Sequence, residues 1–208
     1  MKRKQLSTGV INFLIREARW LIDQGNYEEA LTKLQKCLQN EMETKGRLLI
    51  LKELGYCYLR LGWFKEAVEA FNQFLEINSF DSDARYFRAS AYASLKWIEE
   101  AIKELRIILT TNSNDVLARH DLALCYRDKG WIKEALNEIK KANDSAKIYG
   151  NEEERRIVAS SLRYLEDENK NANERDFAAF LALILLLRKM RLKMKRQPRA
   201  IYPNQRLY

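Results

Sequence analysis

The sequence predicts an all-α fold: a right-handed helical-repeat solenoid closed by a C-terminal helix pair. Three observations carry that expectation. One ten-residue phrase is written four times, as GNYEEALTKL at 25–34, GWFKEAVEAF at 62–71, KWIEEAIKEL at 96–105 and GWIKEALNEI at 130–139, at intervals of 37, 34 and 34 residues. A fixed period in this range marks an array in which each unit is one supersecondary element stacked on its neighbours. A second helical stretch precedes the phrase, so each unit is a helix pair. In the second unit LLILKELGYCYLRL places Leu51, Leu54, Gly55 and Tyr58 on one face. The 208 residues are also 47% hydrophobic and 32% charged with 7 Gly and 2 Pro, too apolar for disorder and too poor in turn residues for an all-β fold.

Residues 1–10 form a basic N-terminal segment. The apolar stretch that follows is interrupted at Arg16 and Glu17, short of what a secretory signal needs. Three cysteines without a CxxC pair supply neither a disulfide framework nor metal-ligand spacing. A reducing, cytoplasmic setting is therefore expected, and the Asn143–Ser145 glycosylation triplet is read as chance.

The four helix pairs are expected over 11–47, 48–81, 82–115 and 116–147. Gly62 ends the first helix of the second pair, and FKEAVEAFNQFLEI opens its partner. Small residues recur where two helices must approach: Ala18, Gly55, Ala89 and Ala123 on the first helices, and Ala30, Ala67, Ala101 and Ala135 on the second. A larger side chain at such a contact would force the backbones apart.

These residues resemble the tetratricopeptide repeat family, whose 34-residue helix–turn–helix unit has Leu-Gly, Tyr, Ala, Phe and Ala at set positions. Leu54-Gly55, Tyr58, Ala67 and Phe71 match in the second unit. Ala89, Tyr92, Ala101 and Leu105 match in the third, and Leu122-Ala123, Tyr126, Ala135, Ile139 and Ala142 in the fourth. The first unit departs, with Leu21 in place of Tyr and three extra residues in its closing loop. Ser79 and Ser113 stand where the family often has proline, and Arg85 and Arg119 where it has a large apolar residue.

Beyond 147 the pattern degrades. Glu152–Glu154 suit the first turn of a helix, where the dipole favours negative charge. Ile157, Ser160, Ser161 and Tyr164 echo a first helix, and a second is expected from about Asp176. Residues 148–195 are read as a degenerate fifth helix pair that caps the array, and 196–208 as a basic flexible tail. From 188 to 208 there are eight basic residues and no acidic one, so the net charge of +8 resides entirely there.

Candidate sites follow. Cys57 and Cys125 occupy one repeat position, where the third unit has Ala91, and Cys37 stands where the fourth has Ala142. Packing explains all three, because cysteine behaves as a small hydrophobe. His120 is the single histidine; with no paired thiols and no Gly-rich phosphate loop, the sequence offers no metal site, no cofactor site and no catalytic constellation. The resemblance implies a concave groove lined by the first helix of each pair, binding a peptide or protein segment. Carried over, its face presents Arg19, Lys52, Tyr56, Arg60, Tyr86, His120 and Arg127, with Asp83, Leu124 and Asp128 beside them. Tyrosine and arginine are the commonest interface anchors. The family's clamp for a C-terminal carboxylate is missing, since Ile15, Arg19, Glu53, Asp83 and Phe87 stand at its positions.

The run Phe177–Leu187 is apolar throughout and is followed by Arg188, Lys189, Arg191, Lys193, Lys195 and Arg196. It is too short to span a bilayer. Three roles remain open: packing on the preceding helices as the cap, contact with an anionic membrane surface as a peripheral assembly factor, or docking on a partner. The tail could bind phosphates non-specifically. With only Tyr202 and Tyr208 as aromatics, it carries no module for specific nucleic-acid recognition.

Overall fold

The computed structural model describes residues 6–39 and 44–195, with side chains described for all of these except Lys45 and 187–195. The expected N-terminal segment falls partly outside this range, and the expected tail at 196–208 entirely so. Every regular element among the described residues is a helix: α1 (Thr8–Asp23), α2 (Tyr27–Leu38), α3 (Thr44–Arg60), α4 (Phe64–Ile77), α5 (Ser82–Ser94), α6 (Ile98–Thr111), α7 (Val116–Asp128), α8 (Ile132–Tyr149) and α9 (Glu152–Lys195). The chain forms two compact units, 1–163 and 164–208, whose boundary falls inside α9.

In the first unit α1 to α8 make four successive pairs. Each helix packs on the next, and α1, α3 and α5 also touch in sequence. This nearest-neighbour connectivity is that of a helical-repeat solenoid. The small residues at the helix contacts are buried as expected, with Ala18, Ala30, Ala67, Ala101, Ala123 and Ala135 fully inaccessible. At Gly55 a Cβ would lie 2.7 Å from the ring of Phe71, so only glycine lets α3 sit at this distance from α4.

Each pair turns through one motif. The amides of Asn26, Trp63, Trp97 and Trp131 donate to the carbonyls of Leu21, Tyr58, Tyr92 and Tyr126 at 2.8–2.9 Å, the long bond of a Schellman cap. The residue before each must take a positive φ. Gly25, Gly62 and Gly130 do so at 76–78°, and Lys96 is forced to 62° in the third repeat. The tryptophans offer no side-chain cap to the helices they begin. They lie against Tyr58, Tyr92 and Tyr126 instead, with ring centroids 5.8–5.9 Å apart. The next helices are capped conventionally: Asp81 and Asp115 accept from the amides of Ala84 and Ala118 at 2.8 and 2.9 Å.

All three cysteines are buried and unpaired. Burial pushes the thiols of Cys57 and Cys125 up to about 12 and raises that of Cys37 as well. The thiolate is the reactive form. We therefore expect all three to react slowly with a bulky disulfide reagent in the native state and rapidly in denaturant. Fast native labelling at Cys57 or Cys125 would show that these sites open to solvent.

The expected C-terminal pair is corrected. Residues 152–195 form one helix of 44 residues, not two. Its start is fixed by reciprocal bonds, Glu154 N to Asn151 Oδ1 at 2.9 Å and Asn151 N to Glu154 Oε2 at 3.1 Å, which make a capping box. The stretch 166–176, where one expected helix was to give way to the next, contains no Gly or Pro. Asn169, Asn171 and Asn173 each cost roughly 0.7 kcal/mol or less relative to alanine, which weakens a helix without ending it.

Candidate functional site

The first helices α1, α3, α5 and α7 carry the residues expected to line the groove, and one theme unites their surroundings. Three of them, Arg19, Lys52 and Tyr86, are engaged with the next first helix along the array. Arg19 Nε lies 2.8 Å from Glu53 Oε1, joining α1 to α3. Lys52 Nζ lies 2.9 Å from Asp81 Oδ1 and 3.1 Å from Asp83 Oδ2, joining α3 to the start of α5. Desolvation opposes the charge on Lys52, but its bonds to Asp81 and Asp83 outweigh that and hold its pKa above the ordinary lysine value. Tyr86 donates to Asp121 Oδ2 at 2.8 Å, joining α5 to α7. Burial, then the Asp121 charge, raises its phenol well above the ordinary tyrosine range. Arg127 turns to its neighbour Asp128, 2.7 Å from Nη2, and Asp128 also faces Lys96 at 3.5 Å. Arg127 holds the Asp128 carboxyl below its usual value.

His120 is not an exposed groove residue. It is only 8% accessible, with Nδ1 2.9 Å from Asp121 Oδ1 and Nε2 3.0 Å from Ser161 Oγ on the early part of α9. The contact with Ser161 spans 41 residues, a relation that no local pattern announces. The order Ser161–His120–Asp121 is that of an acyl-transfer triad. Ser161, however, sits inside α9, where backbone amides are already bonded within the helix and cannot cradle an oxyanion. The trio ties α7 to α9.

Tyr56 and Arg60 stand apart. Tyr56 is edge-on to Tyr27 and Phe87, with centroids 6.2 and 5.2 Å away, and Phe87 meets Tyr86 at 6.0 Å. The Arg60 guanidinium lies 5.0 Å over Tyr27 and 5.9 Å over Tyr56, and Nη1 donates to the Tyr56 hydroxyl at 3.2 Å. Arg60 is exposed. Among the described residues it alone of the four groove cations, Arg19, Lys52, Arg60 and Arg127, has no carboxylate partner. A cleft of about 260 Å³ lies further along, floored by Ala89, Ser90 and Ala93 of α5 and edged by Leu124, Arg127 and Asp128 of α7.

Sequence reasoning missed a buried charge cluster. Glu104 on α6 accepts from Arg85 Nη1 at 2.9 Å and from Arg88 Nη2 at 2.7 Å. Arg85 also donates to the Ser79 carbonyl at 2.7 and 3.2 Å, and Arg88 to Asn72 Oδ1 at 2.8 Å. One repeat on, Arg119 bonds Glu138 at 2.7 Å and the Ser113 carbonyl at 2.8 Å. The two departures from the family pattern thus explain each other: the arginine at the apolar position binds the loop carbonyl of the serine at the proline position. Co-occurrence of Arg and Glu at matching positions of repeats three and four was the available signal.

Among the described residues no group of three His, Cys, Asp or Glu side chains is placed to hold a metal ion, and no helix is long and apolar enough to cross a membrane. Of the expected anionic-surface residues, Arg188, Lys189, Arg191, Lys193 and Lys195 have no described side chain and Arg196 lies outside the described residues.

Residues 23–108 match the family described as anaphase-promoting complex, cyclosome, subunit 3. Among curated proteins none matches the sequence. The fold is similar to that of MamA 41-end from Desulfovibrio magneticus RS-1, with TM-score 0.67 and 17% identity over 90% of this chain and 97% of that one. A second MamA structure gives TM-score 0.65 and 18% identity over 93% and 98%. MamA AMB-1 gives 0.58 and 22% over 64% and 77%. At these identities the likeness is one of fold. The fold is the tetratricopeptide-type helical solenoid, in which successive helix pairs stack on their neighbours.

Proposed function

We infer that this chain, a tetratricopeptide repeat protein, is a cytoplasmic, non-catalytic adaptor that holds a peptide or protein segment along the face of α1, α3, α5 and α7. The observation that supports this is the unneutralised Arg60 over Tyr27 and Tyr56. Aromatic and arginine side chains in one patch are the usual carriers of binding energy, and a guanidinium without an internal carboxylate favours one supplied by a ligand. The segment read by this patch carries an acidic residue beside an apolar or aromatic one. The internal ties of Arg19, Lys52 and Arg127 hold the surface in shape before binding, which lowers the ordering cost of association.

The test uses a peptide array varied in acidic and aromatic content, followed by affinities for the peptides retained. Arg60→Glu is expected to weaken binding by about ten-fold or more, the loss of roughly 1.4 kcal/mol, with unchanged circular dichroism. Lys52→Glu is not an equivalent probe, because it would set a third carboxylate against Asp81 and Asp83 and strain the fold itself. Unchanged affinity in a folded Arg60→Glu protein would place the binding surface elsewhere. A second reading adds a membrane surface to this scaffold, and the exposure of the apolar run in α9 favours it.

A further inference from the structure

We propose that the apolar run of α9 is a surface anchor for an anionic bilayer, lying beneath the headgroups along the membrane plane, and that the basic character of the sequence after it favours anionic lipid. The inference is independent of the groove. Within the second unit the helix changes character twice. Residues 166–176 carry five acidic and two basic side chains and no large apolar one, as suits a solvated spacer. From Phe177 to Leu187 there is no polar residue, and the seven large side chains from Phe177 to Leu186 are 43–63% exposed. After that come Arg188, Lys189, Arg191, Lys193, Lys195 and Arg196.

The distribution around the helix selects the occupant. At about 100° per residue, Phe177, Phe180, Leu181, Leu183, Leu185 and Leu186 cover the whole circumference. A second copy or a protein groove covers one side of a helix, and such helices keep a polar face opposite the seam. Any one-sided contact would leave half of this run in water. Lipid surrounds a submerged helix on all sides. The run is about 16 Å long at 1.5 Å per residue, about half of a hydrocarbon core, and it is polar at both ends, so it can submerge but not cross. Its two flanks differ in sign, acidic before and basic after. Long basic side chains extend to the phosphate level from a stem in the apolar layer, and anionic lipid attracts them.

The full-length protein is sedimented with vesicles of phosphatidylcholine alone and of phosphatidylcholine mixed with phosphatidylglycerol. Binding to the mixed vesicles is expected to exceed binding to the neutral ones by about ten-fold, as apolar insertion and charge attraction combine. A Phe180→Trp protein is expected to show a blue-shifted additional emission on binding. The double substitution Leu181→Glu, Leu185→Glu is expected to abolish vesicle binding with no change in melting temperature, and Arg60→Glu to leave it intact, so that the anchor and the groove fail separately. Absence of binding by the full-length protein would overturn the proposal. So would a fall in melting temperature in the double variant, which would make the run a packed cap. A concentration-dependent dimer that the same substitutions dissolve, with no vesicle binding, would assign the run to a second copy.

Discussion

Glu104→Ala is expected to lower the unfolding free energy by about 3–5 kcal/mol, the usual cost of removing one partner from a buried ion pair. Glu104 is the shared acceptor of Arg85 and Arg88, and the side chains of all three are at most 18% accessible. Truncation leaves two guanidinium groups of one sign in a shielded site. Arg85 keeps the Ser79 carbonyl and Arg88 keeps Asn72, so some bonding survives but no charge compensation does. Against a typical total of about 5–15 kcal/mol the loss is large, and urea denaturation would read it as a shifted midpoint. The protein contains its own control. The positions of Arg85, Arg88 and Glu104 are filled in the preceding repeat by Leu51, Leu54 and Ala70, all buried. Installing that set as Arg85→Leu, Arg88→Leu, Glu104→Ala should be near neutral or stabilising, since well-packed apolar replacements of buried ion clusters often are. A Glu104→Ala protein within 1 kcal/mol of the parent would mean that water reaches the cluster and screens it as at a surface.

Phe71→Ala is expected to cost about 3–5 kcal/mol, the range for removing a buried aromatic ring. Phe71 is fully inaccessible and packs on Phe87 with centroids 6.0 Å apart. Its ring also occupies the space a Cβ on Gly55 would need, at 2.7 Å. Gly55→Ala gains about 1 kcal/mol of helix propensity, yet overpacking costs about 1–3 kcal/mol, so a net loss is expected. The pair should couple: Gly55→Ala on a Phe71→Leu background should be less harmful than on the parent, because the smaller side chain vacates the clash. Strict additivity would show that the two residues do not touch, since interaction energies of roughly 0.5–3 kcal/mol are expected for contacting pairs.

Much of the scaffold was legible without coordinates. The interval between copies of one phrase pointed to the four pairs from α1 to α8, and the alanines that the sequence placed at close contacts are buried. The groove was legible less completely. Arg19, Lys52, Tyr86 and Arg127 lie on the expected helices, but ion pairs and hydrogen bonds already engage them. His120 is inside, held by Asp121 and Ser161. A repeat pattern specifies which helix face a residue occupies. It does not specify which neighbour 34 or 41 residues away a flexible side chain meets.

The sequence by itself determined the repeat period, the helix pairs, the small-residue contacts and the location of the excess charge. Each depends on spacing within one or two turns or on exact recurrence, and local geometry converts such spacing directly into a face or a contact. Tertiary structure alone decided that Arg85 and Arg119 grip the carbonyls of Ser79 and Ser113, and that, among the described residues, Arg60 is the one of the four groove cations left without a carboxylate. It also decided that 152–195 is one helix. Charge pairing depends on distances between elements, which are set by packing, and many arrangements satisfy the same composition. Helix continuity through weak formers is a balance of small terms of a few tenths of a kcal/mol per residue, too fine for pattern to resolve.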